Sequence, residues 1–279
     1  MLRPIRSETR FATRDIRNAV IEKRDPRDTG GTASLLLFRL SILDQNDFLL
    51  SGRWRWRTIR GMAEYLDVTT WARREVFEFF RGFDKPYFNI STTVDVSKML
   101  AALRHQPTVS VSLAYHYFAL RAVNEIEPFR YRLRDGKVLV HPVIHGATTV
   151  LLPNETFTFA YFDYVEDFGK FMAGAERAVE EAKAAGGFRT KDDDDNMIHC
   201  TVLPWVSFTS FSHARNWSRE DSVPKISFGK FVREQERTLL PISVEVHHAL
   251  MDGLHVGKYV MRLEELLAEA EQHVTAAKD

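Results

Sequence analysis

Within seven residues, His247-His248-Ala249-Leu250-Met251-Asp252-Gly253, the chain sets two imidazoles beside a carboxylate and a turn-forming glycine. A neutral imidazole is the side chain best suited to take a proton near neutral pH, so the combination points to base chemistry. The residues before it, Pro241–Val246, alternate apolar and polar as a half-buried strand does. On such a strand Val244, Val246 and His248 share the apolar face, and Ser243, Glu245 and His247 share the other. His248 is therefore the candidate base. Asp252, close behind it, invites a catalytic triad in which the carboxylate orients the ring. His247, His248, Asp252 and His255 also form a conceivable metal-ligand set, but adjacent strand residues point opposite ways, which makes chelation by both histidines awkward. No metal is expected.

The elements that must hold this stretch can be read on both sides of it. Asp252-Gly253 turns the chain into a helix over His255–Gln272, with Val256, Tyr259, Val260, Leu263, Leu266 and Leu267 at helical spacing. Earlier in the chain, Trp71–Phe80 reads as a helix that Thr69 or Thr70 can cap, and Phe88–Val94 as a strand. A short helix opens at Asp95-Val96-Ser97, and a largely apolar, central one spans Val111–Asn124. Arg130–Leu133 and Val138–Val140 flank Asp135-Gly136 as a hairpin would. Strands are expected at Thr148–Leu152 and Thr156–Phe162, then an amphipathic helix over Phe168–Ala185 stopped by Gly186-Gly187. Asp192–Asp195 lacks the glycine and spaced glutamate of a calcium loop and reads as a solvated loop. Three strand-like pieces, Ile198–Leu203, Trp205–Phe211 and Ile226–Val232, lead back to the histidines. The mixture implies an α/β (α+β) two-layer sandwich, a mixed sheet with helices packed on it.

Composition narrows the class of protein. The 279 residues carry 38 Lys+Arg and 38 Asp+Glu, so no net charge draws the chain to nucleic acid or to an acidic membrane. A single cysteine, Cys200, excludes an internal disulfide and suits a reducing cytoplasm. There is no apolar run long enough for a membrane helix, and the arginine-rich start has no secretory apolar core behind it. Residues 1–61 stand apart, with 13 Lys+Arg against 7 Asp+Glu and an alternating Arg53-Trp54-Arg55-Trp56-Arg57. They are expected to be a basic leader, unstructured or translated from a wrongly assigned start, with one domain over 62–279.

His-His-x-x-x-Asp-Gly followed by Leu254-His255-Val256-Gly257 resembles the signature of the chloramphenicol acetyltransferase family. Three further stretches resemble it too: Trp71–Phe80, Pro204–Phe211 and Pro224–Lys230. Met62–Trp71 looks like the amino terminus of a family member. The resemblance implies the family's fold, a homotrimer with active sites at subunit interfaces, and acetyl-coenzyme A as cosubstrate with no prosthetic group. It implies O-acetylation of a chloramphenicol hydroxyl by direct transfer, without an acyl-serine. His248 falls on the general base and Ser210 on the oxyanion-stabilising serine. Asp252 and Arg73 fall on an ion pair that buttresses the site, which displaces the triad reading. Ser227 matches a hydroxyl near the transition state, and Lys230 a lysine near coenzyme A. Phe80, Phe88 and Phe157 match the acceptor pocket, although Phe80 replaces a tyrosine. Asp84 and Asp221 depart further, standing where a leucine and a tyrosine would line that pocket. Two carboxylates in an apolar slot are costly unless exposed or paired. Either the loops carry them outward, or the acceptor is a different, more polar hydroxyl or amine.

Overall fold

The structure, a computed structural model, describes residues 62–191, 195–215 and 221–275. The basic leader expected at 1–61 lies outside the described residues, as do 192–194 of the aspartate run. In chain order the elements begin with β1 (Glu64–Tyr65), α1 (Arg74–Arg81), β2 (Tyr87–Asp95), α2 (Ser97–Leu103) and α3 (Val111–Glu125). A 3₁₀ turn at Glu127–Arg130 leads to β3 (Tyr131–Arg134), β4 (Lys137–Val140), β5 (His145–Leu151), β6 (Phe157–Phe162) and α4 (Phe168–Ala185). Then come β7 (Met197–Val202), β8 (Lys225–Phe228), β9 (Val232–Glu234), β10 (Arg237–His247), α5 (Gly253–Ala268) and α6 (Ala270–Thr275).

The main sheet runs β2-β10-β8-β7-β5-β6, with β9 paired to the start of β10. It is mixed: β7 is parallel to both β5 and β8, while β10 is antiparallel to β2, β8 and β9. One face is apolar. Val94, Cys200, Ile226, Phe228, Ile242, Val244 and Val246 meet α2, α3, α4 and α5 there in one continuous core. The Asp135-Gly136 hairpin is not part of this sheet: β3 and β4 form a separate three-stranded sheet with β1, turned by two residues at φ 53° and 70°.

Helix ends follow local chemistry. Ser110 Oγ accepts from Leu113 N at the start of α3, and Asp167 Oδ1 accepts from Lys170 N at the start of α4, which ends at left-handed Gly186. The expected threonine cap of α1 is not formed. The Thr69 and Thr70 hydroxyls bond Asp67, and the residue before the helix, Arg73, makes no side-chain cap.

Two strand expectations need correction. Trp205–Phe211 is irregular, because β8 already pairs with β7 and β10 and offers no free edge, so the segment crosses the sheet face instead. Ile226–Val232 is not one strand: β8 ends at Phe228, and Val232–Glu234 turns back as a hairpin onto β10. β10 is also not half-buried. Every residue from Leu239 to His247 is buried, Ser243 and Glu245 included, because that crossing segment covers the polar face.

Candidate active site

His248 is the first residue past β10 and starts the turn into α5. Its N–H donates to Pro86 O across β2 at 2.7 Å, which fixes where the strand ends. Its ring stacks flat on Phe80, 3.8 Å between centroids and 9° between planes. Phe88 closes over it at 4.7 Å and 53°. The ring's Nδ1 is buried and has no hydrogen-bond partner among the described residues. Packing between two phenylalanines therefore orients the imidazole, and no carboxylate among the described residues does.

Asp252 is occupied elsewhere. Its Oδ2 pairs with Arg73 Nη1, and its Oδ1 accepts from Leu254 N at 3.2 Å to cap α5. The His255 ring completes the cap by accepting the Asp252 N–H at 3.1 Å. Burial pushes the Asp252 carboxyl up, but the hydrogen bond from Arg73 and the charges of His255 and Arg73 outweigh it and hold the group below its usual range. Arg73 also donates from Nη2 to His248 O at 2.7 Å and from Nε to Ala249 O at 3.2 Å. One guanidinium thus ties α1 to the carbonyls of the motif and to the cap of α5. The pair of Arg73 and Asp252 holds the backbone at His248, and Asp252 makes no hydrogen bond to the His248 ring.

His247 points the other way, is buried, and packs edge-on to Tyr87 at 5.2 Å. Its Nδ1 accepts from Ala249 N at 3.2 Å. Burial, then the nearby Arg215 charge, lower its pKa to about 4, so it is a neutral structural ring. No group of three or more His, Cys, Asp or Glu among the described residues is placed to hold a metal.

Ser210 lies exposed in the crossing segment. The segment is pinned at Val206 O, which accepts from Lys230 N at 2.9 Å, and at Phe211 O, which accepts from Ser243 Oγ at 3.1 Å. Ser227 is fully buried beneath it, its hydroxyl 3.2 Å from His213 Nε2, and Lys230 is exposed. Phe157 sits on β6, at the opposite edge of the sheet from β2, and is exposed beside Phe159 and Phe188. The single chain thus brings His248, Phe80, Phe88, Arg73 and Asp252 together, and holds Ser210, Ser227, Lys230 and Phe157 elsewhere on the sheet. Of the two acids that depart from the expected pocket, Asp84 is exposed and Asp221 is paired with Arg215 at 3.1 Å and Lys225 at 3.1 Å.

Sequence reasoning missed the polar face of β10. There Arg215, its side chain only 2% exposed, bonds Glu245 Oε1 at 2.8 Å and Asp221, and lies over the Tyr87 ring at 4.4 Å. The signal was present in the alternation of Ser243, Glu245 and His247: in a strand flanked by two others, such side chains need buried partners.

Residues 63–264 match the model of the chloramphenicol acetyltransferase family. The chain is similar to the chloramphenicol acetyltransferase of Streptomyces acrimycini, 35% identical over 207 residues that cover 73% of this chain and 94% of the relative. It is 31% identical to chloramphenicol acetyltransferase 3 of Escherichia coli, over 72% of this chain and 94% of that one. A solved chloramphenicol acetyltransferase superposes with a TM-score of 0.67 at 28% identity, covering 74% of this chain and 100% of the other. A dihydrolipoamide acetyltransferase from Azotobacter vinelandii shares the fold alone, at TM-score 0.54 and 17% identity over 68% of this chain and 84% of that one.

Proposed function

Because the chain belongs to the chloramphenicol acetyltransferase family and is therefore an acyltransferase, we propose that it moves the acetyl group of acetyl-coenzyme A to a hydroxyl of chloramphenicol. The observation that carries the reading is His248, its ring clamped by Phe80 and Phe88 and its carbonyl held by Arg73. The buried Nδ1 leaves Nε2 as the nitrogen that takes the acceptor's hydroxyl proton. The hydroxyl oxygen attacks the thioester carbonyl, and the Ser210 hydroxyl donates to the oxyanion that forms. Collapse breaks the carbon–sulfur bond, and the leaving thiolate takes the proton back from His248. The products are an acetyl ester and free coenzyme A. Ser227 supports the polar surroundings of the oxyanion, and Lys230 meets the phosphates of coenzyme A.

The site is completed by a second subunit in this reading. Phe211, next to Ser210, is level with Ser243, five residues before His248, which at strand spacing is on the order of 15 Å away. Phe157 is several strands away. A trimer in which one subunit's His248, Phe80 and Phe88 face its neighbour's Ser210 and Phe157 brings them within reach. In the single chain Asp84 is exposed and the Asp221 charge is spent on Arg215 and Lys225, so neither carboxylate calls for a more polar acceptor to balance it.

The test is release of coenzyme A thiol from acetyl-coenzyme A across chloramphenicol and a panel of other alcohols and amines. The highest kcat/KM is expected for chloramphenicol; a polar alcohol or an amine preferred by tenfold or more, about 1.4 kcal/mol, assigns a different substrate to the same chemistry. Ser210→Ala should lower kcat by about 10² to 10³ with little change in acceptor KM.

A further inference from the structure

We propose that Arg215 is a positioning residue for Ser210, fixing the segment that carries the serine onto the polar face of β10. The proposal rests on the reading of Ser210 as the oxyanion donor and extends it to a device outside the reacting groups. The crossing segment has no ladder of its own, so its geometry depends on single anchors. Upstream of Ser210 these are backbone bonds, Leu203 N to Phe228 O at 2.8 Å and Lys230 N to Val206 O at 2.9 Å. Downstream they are side chains of the sheet. Ser243 Oγ donates to Phe211 O, Glu245 Oε2 accepts from His213 N at 3.2 Å, and Lys225 Nζ donates to Ala214 O at 2.7 Å.

Arg215 ends this series and binds the most. Nε donates to Glu245 Oε1 at 2.8 Å, Nη2 to Glu245 O at 3.3 Å, and Nη1 to Asp221 Oδ1 at 3.1 Å and Val223 O at 2.9 Å. Its plane rests on Tyr87, which in turn packs against His247, the residue before the base. Two cations, Arg215 and Lys225, thus balance two carboxylates, Asp221 and Glu245, under the segment. Only the planar fork of a guanidinium reaches acceptors on both sides at once; an ammonium at the same place keeps the charge and loses the bridge. Four residues separate this fork from Ser210, whose own side chain is exposed. The serine's position is therefore inherited from its flanks, and displacement of a catalytic group by about 1 Å can cost on the order of 100-fold in rate.

The experiment compares Arg215→Lys, Ser243→Ala and Ser210→Ala, singly and with each of the first two combined with the third, in the full chain. Arg215→Lys and Ser243→Ala are expected to lower kcat about tenfold or more while both KM values stay within about twofold. In the Ser210→Ala background neither should lower kcat further by more than about threefold, since a mispositioned serine cannot lose what an absent hydroxyl no longer gives. Losses that multiply in the combined variants overturn the proposal. So does a kcat per folded molecule that stays unchanged while only the thermal midpoint falls, which makes Arg215 purely structural. If Arg215→Lys does not fold, Asp221→Asn, which takes one carboxylate from the same fork and leaves the rest of Arg215's bonds, is read by the same two criteria. A Ser210→Ala enzyme with unchanged kcat instead removes the oxyanion reading itself, and the inference with it.

Discussion

At position 248 the proposed reading needs a side chain that reacts, while at 247 a chemically identical one is packed and hydrogen-bonded inside the fold; the difference is made by what each ring touches. His248→Ala should lower kcat by about 10² to 10⁴ with the fold intact, the range for loss of a general base. His247→Ala should cost stability and leave most of the rate, because its neutral ring packs on Tyr87 and serves a backbone N–H. Equal rate losses in two folded variants would put the base elsewhere. Arg73 and Asp252 act on the same backbone. Each change to Ala should destabilise by about 1–3 kcal/mol, between values for exposed and buried pairs, and a double-mutant cycle in urea should show the joint loss below the sum. Strict additivity would break the pair. The placement of His248 just past a strand and of Asp252 at a helix start was legible because the motif is local and its spacing is a strand turning into a helix. Arg215 was not: its partners Asp221 and Glu245 lie 6 and 30 residues away, and nothing local marks them.

Elements were read best where their ends are chemically marked. α3 and α4 start at Val111 and Phe168, as the sequence predicts, with Ser110 and Asp167 capping them, and Gly186 ends α4. Trp205–Phe211 was misread because β-branched and aromatic residues favour strands only where an edge is free to pair, and edge occupancy belongs to the sheet, not to the segment. The same sheet makes a prediction at β5, where α3 comes close. A Cβ on Gly146 would collide with the Phe162 ring and lie 2.9 Å from Leu120 Cδ1. Gly146→Ala should therefore lose about 1–3 kcal/mol through overpacking, read as a lower urea midpoint at unchanged slope. An unchanged midpoint would mean that α3 and β6 give way freely.

For the whole molecule, histidines buried wholly or in part set the response to acid. Burial lowers His116, His199 and His247 to about 4 and His213 to about 3, with the charge of Lys225 adding to the effect at His199 and His213 and that of Arg215 at His247. Their folded values lie below the unfolded one, so the unfolded chain binds more protons and stability falls as pH drops from about 6.5 toward 4. Near pH 5 unfolding should take up about three to four protons, measurable from the slope of unfolding free energy against pH. A flat profile between pH 7 and 5 would mean that these rings are already charged or solvated. Assembly has its own test: subunits carrying His248→Ala and subunits carrying Ser210→Ala, each nearly inactive, should regain activity when co-assembled, because some interfaces then join an intact histidine to an intact serine. No recovery in mixed oligomers would place both groups in one subunit's site. Cys200 bears on how any of this is measured. It is the chain's one cysteine, buried in the middle of the sheet, and burial raises its thiol far above its ordinary value. A disulfide reagent counting coenzyme A as it is released therefore sees almost no background from the folded enzyme. The slow labelling that remains is a clock for opening of the core.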